Sequence, residues 1–145
     1  FMNALTFTVF GIAQPQGSAR AFMPKGGRVP VVTSDNQKVK GWRQLVAEAA
    51  SHALNGKGEQ FAGAVGISAR FYLPRPKALG VKAKPHITRP DVDKLCRALG
   101  DSLSGVIYRD DSQIVHLEVT KHYAGVGESP RAEITVRSME EGRLL

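Results

Sequence analysis

An α+β domain, with two main helices packed on one mixed β-sheet in the order β-β-α-β-α-β-β, is the fold this sequence predicts, on three observations. Apolar residues alternate with period two in several separate stretches, as half-buried strands require. They recur with a period near 3.6 in two others, as helices packed on a sheet require. The 145 residues, 42% of them hydrophobic, suffice for one core and leave no room for a second, so a single domain over 1–145 is expected.

The elements follow in order. Leu5, Phe7 and Val9 alternate with Thr6, Thr8 and Phe10, which places a first strand at about 4–12. Residues 13–28 contain Pro15, Gly17, Pro24, Gly26 and Gly27 and read as loop. A short second strand at 29–33 is expected at a sheet edge, because Pro30 cannot donate to a central ladder. Ser34 or Asp35 is then expected to cap a helix in which Val39, Trp42, Leu45, Val46, Ala49, Ala50, Ala53 and Leu54 follow the helical period, until Asn55-Gly56 stops it. Trp42 is assigned to the core. Val65, Ile67, Ala69, Phe71 and Leu73 alternate with Gly66, Ser68, Arg70 and Tyr72 in a strand that ends at Pro74. Pro90 marks the entry to a second helix at about 91–104, with Val92, Leu95, Cys96, Leu99 and Leu103 at helical spacing and Gly105 as its stop. Two further alternating runs, 115–123 and 132–136, flank a Gly-rich turn at 124–130 and predict a closing antiparallel hairpin.

The net charge of +7 is unevenly placed. Residues 1–90 hold 13 Lys and Arg against 3 acids, whereas 91–145 hold 7 against 10. Most of the excess falls in two Gly- and Pro-punctuated loops: Arg20, Lys25 and Arg28 in one, Arg75, Lys77, Lys82, Lys84 and Arg89 in the other. Such a surface suits phosphate. One cysteine excludes an internal disulfide and fits a reducing, cytoplasmic compartment; Cys96 reads as a small buried residue on a helix. The first residues lack a basic n-region and alternate too strictly for a signal helix, and no apolar run approaches the roughly 18 residues of a membrane span. Phe1, ahead of Met2, reads as a cloning remnant.

Against this basic background, residues 89–113 crowd together Asp91, Asp93, Asp101, Asp110 and Asp111, five of the thirteen acids. Carboxylates held together repel unless a cation is shared between them, so the cluster predicts a divalent metal site. Asp91 and Asp93 stand two apart where an extended segment enters a helix, so both can face one cation. Asp93, Arg97 and Asp101 recur every fourth residue and form one helical stripe. Asp110 and Asp111 bring carboxylates from the following turn. Oxygen ligands of this kind suit Mg2+, or Mn2+ in its place, rather than Zn2+. The same residues also have ordinary uses: Asp91 and Asp93 at the positive end of a helix, Asp93-Arg97-Asp101 as a surface ion-pair ladder, Asp110-Asp111 as a turn.

The run Pro-Asp-Val-Asp-Lys-Leu, a basic residue one turn later, then Asp-Ser-Leu, Gly-Val-Ile-Tyr and Asp-Asp-Ser-Gln-Ile-Val, resembles the RusA family of Holliday junction resolvases. The resemblance is specific over 85–120, where the two aspartate pairs, the helix and the aromatic turn occur in the family's order. It implies a small homodimeric endonuclease, encoded by bacteria, phages or prophages. Such enzymes use Mg2+ to place paired nicks across a four-way DNA junction in recombination and repair. A two-fold dimer would match the junction's own axis.

Carried over by position, the resemblance makes Asp91, Asp93 and Asp111 metal ligands and catalytic carboxylates. Arg97 stands where the family has an essential lysine, and Lys94 where it usually has asparagine. Arginine clamps a phosphate oxygen as well as lysine does but cannot exchange protons near neutral pH. His86 precedes the acidic helix and, with Lys94 and the loop cations, is expected to contact DNA. Two other readings share these residues: a junction-binding protein of this fold that has lost catalysis, and a Mg2+-dependent transferase using Asp-x-Asp to bind a diphosphate. No Gly-rich phosphate loop supports the second.

Overall fold

A computed structural model of the chain describes residues 3–17, 19–22, 25–27, 31–34 and 38–140. Its strands are β1 (Ala4–Phe10), β2 (Ala19–Phe22), β3 (Val31–Ser34), β4 (Val65–Leu73), β5 (Ile114–Tyr123) and β6 (Arg131–Ser138); its helices are α1 (Val39–Leu54) and α2 (Val92–Leu103). The main sheet is mixed, in the order β1-β6-β4-β5. The fold is α+β, as the periodicities predict.

Period-two alternation does its expected work in β1, where Leu5, Phe7 and Val9 point inward and their neighbours outward. β4 lies inside the sheet, antiparallel to β6 and parallel to β5, and its alternate residues Ile67, Ala69, Phe71 and Leu73 are almost fully buried. A parallel pair cannot be joined by a tight turn, and α2 lies in the β4-to-β5 crossover. Both helices pack on one side. Trp42, Val46 and Ala50 of α1 and Leu95, Leu99 and Leu103 of α2 close a single core over the sheet.

The pairing of the last two strands corrects the sequence expectation. β5 and β6 do not form a hairpin: β6 crosses back to lie between β1 and β4, and β5 takes the sheet edge. Alternation alone cannot distinguish these arrangements. What decides is that Ala132, Ile134 and Val136 are buried between two strands, whereas β5 keeps Val115 and Leu117 exposed. The short strand expected at 29–33 appears as β3, but it pairs with β2, inside the stretch read as loop, and this ribbon is separate from the main sheet. α1 begins later than expected. Lys38 holds its N-cap position without a side-chain cap, Ser34 ends β3, and Asp35 lies outside the described residues.

The second helix matches its expected span closely. Asp91 is its N-cap residue with extended backbone angles, and Ser104 its C-cap. The turn that follows passes through Gly105, whose φ of +84° is one that L side chains rarely adopt. It returns the chain so that Tyr108 is buried beneath α2 and the next acidic pair reaches the helix.

Candidate active site

Asp93 and Asp111 come from different elements, and the charge of each acts on Cys96. The thiol of Cys96, on the first half of α2, is pushed up by burial and then by the charges of Asp93 and Asp111. Asp111 opens a single 3-10 turn, Asp111–Gln113, directly before β5. Its Oδ1 accepts a hydrogen bond of 3.1 Å from Tyr108 Oη, which also lies 3.2 Å from the Gly100 carbonyl oxygen. Gly100 faces the same carboxylate: a Cβ there would stand 3.6 Å from both of its oxygens, at ordinary contact distance. Burial, and then Asp111, push Tyr108 far above its ordinary value, so its hydroxyl remains a donor.

The other acids separate by role. Asp101 is exposed on α2 and acts on Tyr108 through its charge. Asp110 caps the turn: its Oδ2 accepts from Ser112 N at 3.0 Å, and Gln113 Oε1 accepts from Asp110 N. Hydrogen bonds from the Ser112 side chain and then its backbone hold the Asp110 carboxyl below its usual range. Gln113 also donates to the carbonyls of Phe61 and Gly63, tying the turn to the core. Arg97 is exposed on α2 between Asp93 and Asp101. The ion pairs found among the described residues belong to Arg131, so no ion-pair ladder forms there.

Asp91 lines an open cleft of 660 Å3 together with Arg89 and Lys94. The expected pairing of Asp91 and Asp93 on one extended segment is altered, because Asp91 keeps extended angles while Asp93 is already inside the first helical turn. Among the described residues no three His, Cys, Asp or Glu side chains converge closely enough to hold a metal ion. The donor chemistry nonetheless fits a hard divalent cation, since Asp91, Asp93 and Asp111 are exposed and supply only oxygen.

Lys77, Lys82, Lys84 and Arg89 are exposed along the segment that leads to Asp91. Arg75 is placed differently: its guanidinium donates to the carbonyls of Gly80, Lys82 and Ala124 and braces the loop from within. Lys25 is exposed; Arg20 belongs to β2 and Arg28 lies outside the described residues. His86 is buried, with its ring 4.3 Å from that of Tyr123. Sequence reasoning passed over Lys121, whose Nζ donates to the Thr88 and Pro90 carbonyls at 2.7 and 2.9 Å and pins the approach to α2 onto β5. It also passed over the role of Tyr108. The signal was present in Lys121, a cation in an alternating strand, but nothing local marks its partners.

The sequence model of the family described as endodeoxyribonuclease RusA matches residues 13–137, which is most of the chain. The chain belongs to the RusA family. RusA proteins are Holliday junction resolvase nucleases, and the match spans both aspartate pairs. The chain is also 32% identical over 148 residues to the uncharacterized protein YqaN of Bacillus subtilis (strain 168), covering 95% of this chain and 99% of that protein. No helix among the described residues is long and apolar enough to cross a membrane.

Proposed function

We propose that this RusA-family protein is a Mg2+-dependent, structure-selective endonuclease that resolves Holliday junctions by paired symmetric nicks, acting as a homodimer. The observation that carries this reading is the approach of Asp111, from the turn after α2, to Gly100 and Tyr108, which sets it against the helix that carries Asp93 and has Asp91 as its N-cap. Mg2+ held by these three carboxylates would lower the pKa of a bound water and neutralise charge on the phosphate oxygens. The chain supplies the rest. Tyr108 fixes the direction of the Asp111 carboxylate, so less ordering is left to the moment of reaction. Arg97, one turn after Asp93, offers a permanent positive charge to the phosphorus oxygens as water adds to phosphorus and one ester P–O bond breaks. Because Arg97 cannot exchange protons, it serves by charge alone. Lys94 and the exposed cations from Lys77 to Arg89 hold the DNA backbone.

The dimer is supported by the sheet edge. Among the described residues β5 pairs with β4 alone, and Val115 and Leu117 on it are 62% and 51% exposed. An unpaired, apolar edge strand favours association, and a second copy would present the same edge about a two-fold axis.

The test incubates the parent protein and Asp91→Asn with a four-way junction and with linear duplex, in Mg2+ and in EDTA. Symmetric metal-dependent nicks in the junction from the parent alone, with junction binding kept by the variant, support the reading. Binding without cleavage under every metal condition would show a junction-binding protein that has lost catalysis, and absence of any junction preference would sink the reading.

A further inference from the structure

The cleft beside Asp91 has a lining that hydrolysis of a backbone phosphate does not require. Its 660 Å3 lies within the range of small-ligand sites and accommodates one nucleoside, whereas a base pair within a duplex is too wide to enter. Ile12, Pro15, Pro74 and Pro76 give it apolar surface. His86 and Tyr123 add two planar rings, tilted 36° to one another. Arg89, Lys94 and Asp91 also line it, so the groups proposed to hold and cut the backbone adjoin the apolar part. A phosphate prefers water and cations to prolines and buried rings; a base has two apolar faces and a polar edge, and matches both halves of this lining.

His86 supplies the polar component. It is 9% exposed, and its Nδ1 is buried without a hydrogen-bond partner among the described residues. Burial, and then the charge of Lys121, lower its pKa from 6.5. The ring is therefore neutral at pH 7 and offers one donor and one acceptor, which allows it to distinguish base edges.

We propose that the cleft receives one unpaired nucleobase of the strand being cut, next to the scissile phosphate, with His86 reading its polar edge. The proposal rests on the junction-nuclease reading and deepens it, assigning a base preference to a site beside the metal ligands. A junction crossover suits such a site, because bases there unstack at lower cost than within a duplex.

The test has two arms. In the first, four-way junctions differing only in the nucleotide on either side of the cut are cleaved in Mg2+ and the products mapped. In the second, 2-aminopurine replaces that nucleotide and its fluorescence is followed on binding in EDTA. The parent is expected to favour one base at one position by about tenfold, and the 2-aminopurine signal to change severalfold on binding. His86→Phe keeps the ring packing on Tyr123 and removes both nitrogens; it is expected to flatten the preference to within about twofold. Ile12→Ala, at a position 52% exposed and so outside the core, is the second variant and is expected to weaken the 2-aminopurine response. Equal cutting at all bases, or a preference intact in a His86→Phe protein that melts like the parent, overturns the proposal and leaves the nuclease reading standing. No cutting, with a 2-aminopurine response that His86→Phe abolishes, supports the cleft and sinks the nuclease reading. Neither cutting nor response overturns both.

Discussion

Tyr108 Oη donates to Asp111 Oδ1 at 3.1 Å from a fully buried ring, so a core residue sets the direction of a surface carboxylate. The phenol shares its single proton between that oxygen and the Gly100 carbonyl 3.2 Å away, which ties the acidic turn to the middle of α2. Tyr108→Phe keeps the packing and removes the donor. It is expected to lower junction cleavage about tenfold and to raise the Mg2+ concentration for half-maximal rate, as loss of a ligand's supporting hydrogen bond does. Metal titrations of initial rate check this; an unchanged Mg2+ requirement would count against the role given to Asp111.

The two aspartates of the second pair should behave differently. Asp111→Asn is expected to abolish cleavage while junction binding survives in a gel-shift assay. Asp110→Ala removes the acceptor for Ser112 N and should lower the melting temperature, with cleavage within about twofold of the parent. Equal losses of activity in both variants would mean that Asp110 does more than cap its turn.

Lys121 holds the approach to the acidic helix through the Thr88 and Pro90 carbonyls. Lys121→Met keeps the aliphatic stem and removes both hydrogen bonds. A stability loss of about 1–3 kcal/mol is expected, together with faster proteolysis within 80–90, read by urea denaturation and limited digestion.

His86 makes stability depend on pH. Its folded-state pKa lies below the unfolded value of 6.5, so the unfolded chain binds more protons and stability falls as pH drops below 6.5. The charge of Lys121 strengthens the effect, and the Tyr123 ring packs 4.3 Å from that of His86. Thermal melts of the parent between pH 7 and 5 should show a decline that is shallower in His86→Phe. Parallel curves would remove His86 as its source.

Leu117 and Val115 predict the assembly state. Leu117→Lys places a charge on the exposed edge of the sheet and should halve the mass measured by analytical ultracentrifugation. The monomer is expected to lose paired nicking first, since each protomer carries one acidic cluster.

Much of the fold was legible in the sequence because it rests on local periodicity: β1, β4 and α2 lie near where alternation or helical spacing put them. What periodicity cannot encode is partnership. The placement of β6 against β1 depends on residues more than a hundred positions apart, such as Phe7 opposite Ile134, and no local pattern specifies that pairing. The ribbon of β2 and β3 was obscured by the Gly and Pro residues that made its surroundings read as loop. At the site, the aspartates were visible because acids crowded into a basic chain are conspicuous. Tyr108, Lys121 and the internal use of Arg75 were not, because each acts through backbone carbonyls or a side chain that only the folded chain brings near.

The position of β6 bears on how the protein is made. Residues 131–138 leave the ribosome after the other strands of the main sheet, and they supply the strand that joins β1 to β4. Until they emerge, β1 has no partner in the main sheet and the core over it cannot close, however complete the acidic helix is. A chain interrupted before this strand would carry every carboxylate of the site over β4 and β5 alone, with β1 not joined to them, so DNA-cutting capacity would arise only once synthesis had passed β6.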